Sequence, residues 1–259
     1  MGRVKLHILP LLALCLLLVT LLVPTKASAP ALPEDVPSPD ALRPLPSALP
    51  EPRVLPEPEA IIPEEQEPVD DTYFEDVVFL GDSRTEGLYL YGGPAPARYL
   101  FAVGATVESV FTKEIEREDG TKAPLLDTLA ELECGKIYVM LGINELGWPQ
   151  SDLYREQAGK LVDRLREDHP DATVVLQSIL PVSAKQDAKK SYVNNERVAV
   201  YNRILREVAD EKGCVWLDVG AAVMDEEGCL PADITPDGVH MNTRGCAIWT
   251  DYLRTHPVP

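Results

Sequence analysis

Val77-Val78-Phe79-Leu80-Gly81-Asp82-Ser83 runs directly into Arg84-Thr85-Glu86-Gly87-Leu88. Four consecutive apolar residues, rich in β-branched and aromatic side chains, fit a strand covered on both faces, as in a parallel sheet. Gly81 permits a tight turn, Asp82 can cap a following helix, and Ser83 then stands at the carboxyl end of the strand. In open α/β sheets that edge is where ligands bind. A serine there could also be no more than a helix cap, and these residues alone favour the cap.

Outward from this stretch, strand-like and helix-like segments alternate from Thr72 onward. Arg84–Tyr91 suits a short helix closed by Gly92-Gly93-Pro94, and Tyr99–Val103 reads as a second strand ending at Gly104. Thr106–Ile115 is expected to be helical, and Glu116–Lys122, with its Asp119-Gly120 turn, is expected to be a surface excursion. A helix over Pro124–Glu133 leads to a third strand, Lys136–Leu141. Ser151–Asp168 carries one apolar stripe, Leu153, Ala158, Leu161, Val162 and Leu165, with Ser151 as its expected cap. Thr173–Ser178 is the fourth strand, Asn194–Lys212 a helix, Val215–Leu217 the fifth strand and Thr243–Arg254 the last helix. Such alternation predicts a parallel sheet with helices on both faces, its strand ends gathered along one edge.

The N-terminal part is of another kind. Arg3 and Lys5 precede the Leu-rich run Leu6–Val23, and Ala27-Ser28-Ala29 follows. A charged start, an apolar stretch and an A-x-A site read as an export signal. At 18 residues the run is also long enough to span a bilayer, and Pro30 is a poor residue just after a cleavage point. Residues 1–29 are therefore a signal peptide or an uncleaved membrane anchor, and the sequence leaves both open. Residues 30–71 hold twelve prolines and eleven acidic residues against Arg43 and Arg53. They read as an extended, disordered linker that buries no core. The expected globular domain is 72–259.

The net charge of −18 divides into +3 over residues 1–29, −9 over the linker and −12 over the remainder. An acidic exported domain has no electrostatic means of gripping nucleic acid or anionic lipid, so membrane contact is expected only through the N-terminal segment. No Cys-x-x-Cys pattern occurs, and only His240 among the four histidines joins a plausible site, so neither metal nor cofactor is expected. Cys229 and Cys246 bracket residues 237–240; a disulfide between them could form and would brace that loop, though buried thiols are favoured.

Four loops at the expected sheet edge carry suggestive residues. Acyl transfer needs a nucleophile, a base in reach of it, a group that orients the base, and donors for the oxyanion. Ser83 could attack, His240 could take its proton, and Asp237 could fix the His240 tautomer. The backbone amides of Ser83 and Gly104, with the Asn144 side chain, could form the oxyanion hole. Each piece alone is weak; their order is not. Gly81-Asp82-Ser83, Gly104, Gly142-Ile143-Asn144 and Asp237-Gly238-Val239-His240 follow one another as do the four blocks of the SGNH hydrolases, the GDSL-type esterases and lipases, which this chain resembles over about residues 73–256. The resemblance implies a flavodoxin-like three-layer α/β/α sandwich with a five-stranded parallel sheet in the order 2-1-3-4-5. It also implies a serine esterase acting through an acyl-enzyme. The α/β-hydrolases share the order Ser, Asp, His, but their G-x-S-x-G elbow is absent around Ser83.

Two features depart from the family pattern. Glu145 stands where the third block often has Asp, and reads as a carboxylate bracing its loop. The second block around Gly104 is sparse. Arg84 could bind an anionic substrate group, though pairing with a nearby acid is favoured. Trp148, Tyr91 and Tyr192 lie in loops that could rim the site and stack on sugars, or could be plain packing. Members of that family with an anchor and stalk commonly remove small O-acyl groups from carbohydrates. The resemblance, with the export segment, thus implies an extracytoplasmic or cell-surface enzyme acting on O-acyl esters, O-acetyl first, of a carbohydrate. No extended apolar lid supports long-chain lipid hydrolysis. An acyltransferase using the same acyl-enzyme, or a non-catalytic glycan-binding scaffold, are the alternatives.

Overall fold

A computed structural model of the chain describes residues 61–259. The export segment and most of the expected linker lie outside the described residues. Five parallel strands form one sheet: β1 (Val77–Gly81), β2 (Arg98–Phe101), β5 (Lys136–Met140), β6 (Thr173–Gln177) and β7 (Val215–Leu217). Their order is β2-β1-β5-β6-β7. This is the order expected for the five sheet strands. β3 (Glu114–Glu116) and β4 (Lys122–Pro124) make a separate antiparallel hairpin.

Alternation along each strand sends successive residues to opposite faces. Val78, Leu80, Ile137, Val139, Val174, Leu176 and Trp216 face one apolar layer. That layer is completed by α2 (Leu125–Ala130), α3 (Ser151–Asp168) and α5 (Asn195–Lys212). Val77, Phe79, Tyr138, Met140, Val175, Val215 and Leu217 face the other, covered by α1 (Ser83–Tyr91), α6 (Val219–Val223) and α7 (Thr243–Thr255). Burial on both faces explains why Val77–Leu80 is a continuous apolar run rather than an alternating one. A short helix α4 (Ala184–Asp187) follows the β6 loop.

The structure corrects several local expectations. Thr106–Ile115 is not a helix: it holds a 3-10 turn at Ser109–Phe111 and the first strand of the hairpin. The Thr106 and Ser109 side chains accept each other's backbone N–H, at 3.0 and 2.9 Å, tightening the turn. Asp119-Gly120, with Gly120 at φ +79°, is the expected turn, but it closes the β3–β4 hairpin where only a surface excursion was expected. Gln150, not Ser151, occupies the cap position of α3, without a side-chain cap bond. Residues 61–71, assigned above to the linker, run against the domain. Ile61 bridges Val215, Gln66 N donates to Thr255 O (2.7 Å), and Val69 N to Arg254 O (3.0 Å).

The Cys229–Cys246 bridge is absent, and both thiols are free. Cys246 Sγ, on α7, points to Gly87 O of α1 (3.6 Å), while Cys229 Sγ lies 3.3 Å from Asn195 Nδ2 of α5. The thiols turn toward helices on opposite faces of the sheet. Among the described residues no helix is long and apolar enough to cross a membrane.

Candidate active site

β1 ends at Gly81, whose backbone lies so close to β5 that a Cβ there would come within 2.6 Å of Met140 O. Only glycine allows that approach. Asp82 then caps α1, its Oδ1 accepting from Arg84 N at 2.8 Å, and Ser83 opens the helix.

Ser83 Oγ lies 2.9 Å from His240 Nε2, and His240 Nδ1 lies 2.7 Å from Asp237 Oδ2. Asp237 Oδ1 also accepts the backbone N–H of Val239 and of His240, each at 2.8 Å. Burial by itself would raise this carboxyl; the His240 amide and ring and the Val239 amide outweigh it and hold it at about 2. An ionised carboxylate only accepts, so the imidazole proton sits on Nδ1. Nε2 is left to accept from the Ser83 hydroxyl. The loop is held from behind: Thr235 Oγ1 donates to His240 O (2.6 Å) and accepts from Gly238 N (2.9 Å), and Ser183 N donates to Gly238 O (2.9 Å).

Gly104 follows β2 on the surface at φ +71°, a left-handed conformation that favours glycine. Asn144 Nδ2 donates to Ala105 O at 2.8 Å and to Asp82 Oδ2 at 3.2 Å. Both amide hydrogens therefore have partners, and an oxyanion would take one by exchange, most readily the longer bond to Asp82. Asp82 is buried, which pushes its carboxyl up to about 6 against the Arg84 N–H bond and the Arg84 and His240 charges.

Glu145 is fully buried, and its Oε1 accepts from Val107 N at 2.7 Å. It braces the loop that carries Gly104. Burial pushes it up to about 8, countered by the Val107 bond and reinforced by the Asp82 charge, so it is mostly protonated at neutral pH. Its Oε2 has no partner among the described residues.

Arg84 departs from both roles considered for it. It is buried and donates to three backbone carbonyls, Leu180 O (2.6 Å), Val239 O (3.2 Å) and Pro181 O (3.3 Å). It is no rim residue; it ties the start of α1 to the loop after β6 and to the His240 loop. Burial lowers its guanidinium to about 10, while the Asp82 and Asp237 charges oppose that shift. Tyr91 closes α1, about 12 Å along the helix axis from Ser83, too far to rim it. Trp148 and Tyr192 stay on the Asn144 side. Trp148 is half-buried against the core, and Tyr192, 58% exposed, covers Gly147, where a Cβ would stand 3.2 Å from its ring. The sequence reading missed the cross-links of Asp82, Arg84 and Thr235. Asp82 and Arg84 flank Ser83 and Thr235 lies two residues before Asp237, which was their only signal.

Residues 79–248 match the profile of the GDSL-like lipase/acylhydrolase family. No curated protein matches the chain. A GDSL-like lipase from Bacteroides thetaiotaomicron superimposes with a TM-score of 0.53 at 18% identity, covering 69% of this chain and 86% of that one. An acetylxylan esterase from Geobacillus stearothermophilus gives 0.50 at 17% identity, covering 71% and 94%. At such identities the likeness is one of fold. The family match spans well over half of the chain and takes in the loops of Ser83, Asn144 and His240, so the chain belongs to the GDSL-like lipase/acylhydrolase family and is a hydrolase.

Proposed function

We propose that the protein is an extracytoplasmic serine esterase that removes small O-acyl groups, in the first place O-acetyl, from a cell-surface carbohydrate. The observation that carries the reading is the hydrogen-bonded line from Ser83 Oγ through His240 to Asp237 Oδ2. Ser83 Oγ attacks the ester carbonyl and its proton passes to His240 Nε2. The oxyanion is met by the amides of Ser83 and Gly104 and by Asn144 Nδ2. Collapse breaks the ester C–O bond, and His240 returns the proton to the departing sugar hydroxyl. Water, deprotonated by the same ring, attacks the acyl-enzyme, and His240 gives that proton back to Ser83 Oγ as the carboxylic acid leaves.

Export is supported by Arg3, Lys5 and the run Leu6–Val23 ahead of Ala27-Ser28-Ala29. A carbohydrate ester is supported by the acidic balance, which disfavours anionic substrates, and by a fold shared with an acetylxylan esterase. The full chain and its Ser83→Ala variant should be compared on p-nitrophenyl acetate, butyrate and octanoate, with mass spectrometry of the quenched protein. The expected result is acetate turnover reduced at least ~10³-fold in the variant, with an acyl adduct on the Ser83 peptide of the wild type. Equal rates in both proteins would refute the nucleophile. Turnover that rises toward octanoate would refute the small-acyl assignment.

A further inference from the structure

Among the described residues β2 is the outermost strand on its side of the sheet, and its edge is the floor of a groove of about 920 Å³. That volume lies within the roughly 300–1,000 Å³ of ligand sites. One wall is α1, which contributes Glu86 and Tyr89; the other is the β3–β4 hairpin, which contributes Ile115 and Glu118. Tyr89 is 56% exposed, with ring centroids 5.3 Å from Tyr99 and 5.8 Å from Phe101, so a flat aromatic face is held in place from beneath. The cations of the groove are engaged with the protein. Arg117 pairs with Glu131 (2.9 Å) and bonds Thr128 (3.2 Å), and Arg98 donates to Glu133 O (2.9 Å).

The groove lies beside the elements that carry two of the candidate reacting groups. Glu86 stands one helical turn after Ser83 on α1, and Val103, at the carboxyl end of the floor, immediately precedes Gly104. A linear ligand lying along the floor past Val103 would reach the loop that carries Gly104. Residues 30–71 of the chain are acidic (−9), as is the domain itself (−12), so neither this segment nor a second copy matches a groove rimmed by carboxylates.

We propose that this groove is a subsite cleft for the sugar units flanking the acylated residue of a linear, non-anionic glycan. The inference rests on the esterase reading for the position of the ester. Tyr89 offers its face to the C–H surface of a pyranose ring, and Glu86 and Glu118 accept from hydroxyls. The outward backbone groups of the strand edge supply further donors and acceptors.

The test is binding, so that it stands apart from turnover. The full chain carrying Ser83→Ala is titrated with hexamers of xylose, N-acetylglucosamine and galacturonic acid, with the matching disaccharides, and with an oligolysine peptide. One of the two neutral hexamers is expected to bind about tenfold more tightly than its disaccharide, and adding Tyr89→Ala is expected to weaken it about tenfold. Glu118→Gln, on the opposite wall, should weaken it severalfold and serves if Tyr89→Ala unfolds. The proposal is overturned if neither neutral hexamer binds, if binding survives both substitutions, or if galacturonate binds equally well. Oligolysine binding without glycan binding also overturns it, assigning the edge to an added peptide strand. Failure of acetate hydrolysis, by contrast, would refute the esterase reading and leave this binding result standing on its own.

Discussion

Replacing Glu145 by Gln isolates a single buried acid next to Asn144, a proposed oxyanion donor. Its carboxyl is raised from 4.5 to about 8, chiefly by burial. The sign follows from proton linkage: between those values the unfolded chain is ionised while the folded one keeps its proton. Stability contributed by this group is thus full below pH 4.5, declines as pH rises toward 8 and levels off above. The complete shift corresponds to an upper limit of about 5 kcal/mol, and relaxation around the anion brings a realistic figure to about 2–3 kcal/mol. Gln is nearly isosteric, its Oε1 can still accept from Val107 N, and it does not titrate. The gap in Tm between Glu145→Gln and wild type should therefore widen in favour of the variant by about 5–10 °C from pH 5 to pH 9. Thermal unfolding in matched buffers measures it, and groups common to both proteins cancel. Ionised Glu145 would also oppose negative charge at Asn144, so the alkaline limb of kcat near pH 8 should flatten in the variant. A Tm gap that stays constant with pH would refute the burial argument.

Three further outcomes are expected. Asp237→Asn should lower kcat by about 10³–10⁴ with little change in KM, because it no longer dictates the His240 tautomer; a drop below tenfold would remove Asp237 from the mechanism. Arg84→Lys keeps the charge but cannot reach three carbonyls at once; it should lose about 2–4 kcal/mol of stability in urea unfolding and lower kcat more than it raises KM. Unchanged stability would show that those contacts are dispensable. Iodoacetamide in denaturant without reductant should label both Cys229 and Cys246, whereas protection of the pair until reduction would restore the disulfide that the structure lacks.

What could be read from the chain follows from physical ranges. β1 and β5 were legible because burial on both faces leaves uninterrupted apolar runs, Val77–Leu80 and Ile137–Met140. α3 and α5 were legible from their 3.6-residue stripes. Thr106–Ile115 was misread because Val107, Val110, Phe111 and Ile115 also fall at helix-compatible spacings. The decisive contacts are the Thr106–Ser109 exchange and the pairing of Ile115 with Ala123, and periodicity sees neither. The candidate reactive residues were legible from their types, order and separations. Arg84 was not, because its partners are backbone carbonyls some 96 to 155 residues away, which leave no trace in residue type. The disulfide considered between Cys229 and Cys246 gave way to the buried thiols weighed against it for a similar reason: separation in sequence says nothing about which face of the sheet a thiol points to.

The residues that order the site are sequence neighbours of the ones that could react, and the local geometry makes this necessary. At the turn from β1 into α1, Ser83 is directed to the open edge, so the residues on either side of it are turned into the protein. Asp82 reaches Asn144 on the β5 loop and Arg84 reaches the β6 and His240 loops. On the β5 loop the pattern repeats: Asn144 stands at the edge while Glu145 reaches Val107 behind Gly104. Each inward-facing neighbour thereby fixes the position of another loop's outward-facing group. The β1–α1 turn and four loops, those after β2, β5 and β6 and the one bearing His240, are held together by hydrogen bonds of 2.6 to 3.3 Å through three buried ionisable side chains. Preorganised donors are effective only if they need not rearrange when charge develops. Burial supplies that rigidity to the loops, although Asn144 would still have to release one of its two present partners to meet an oxyanion. The raised carboxyls of Asp82 and Glu145 are the electrostatic consequence of that burial.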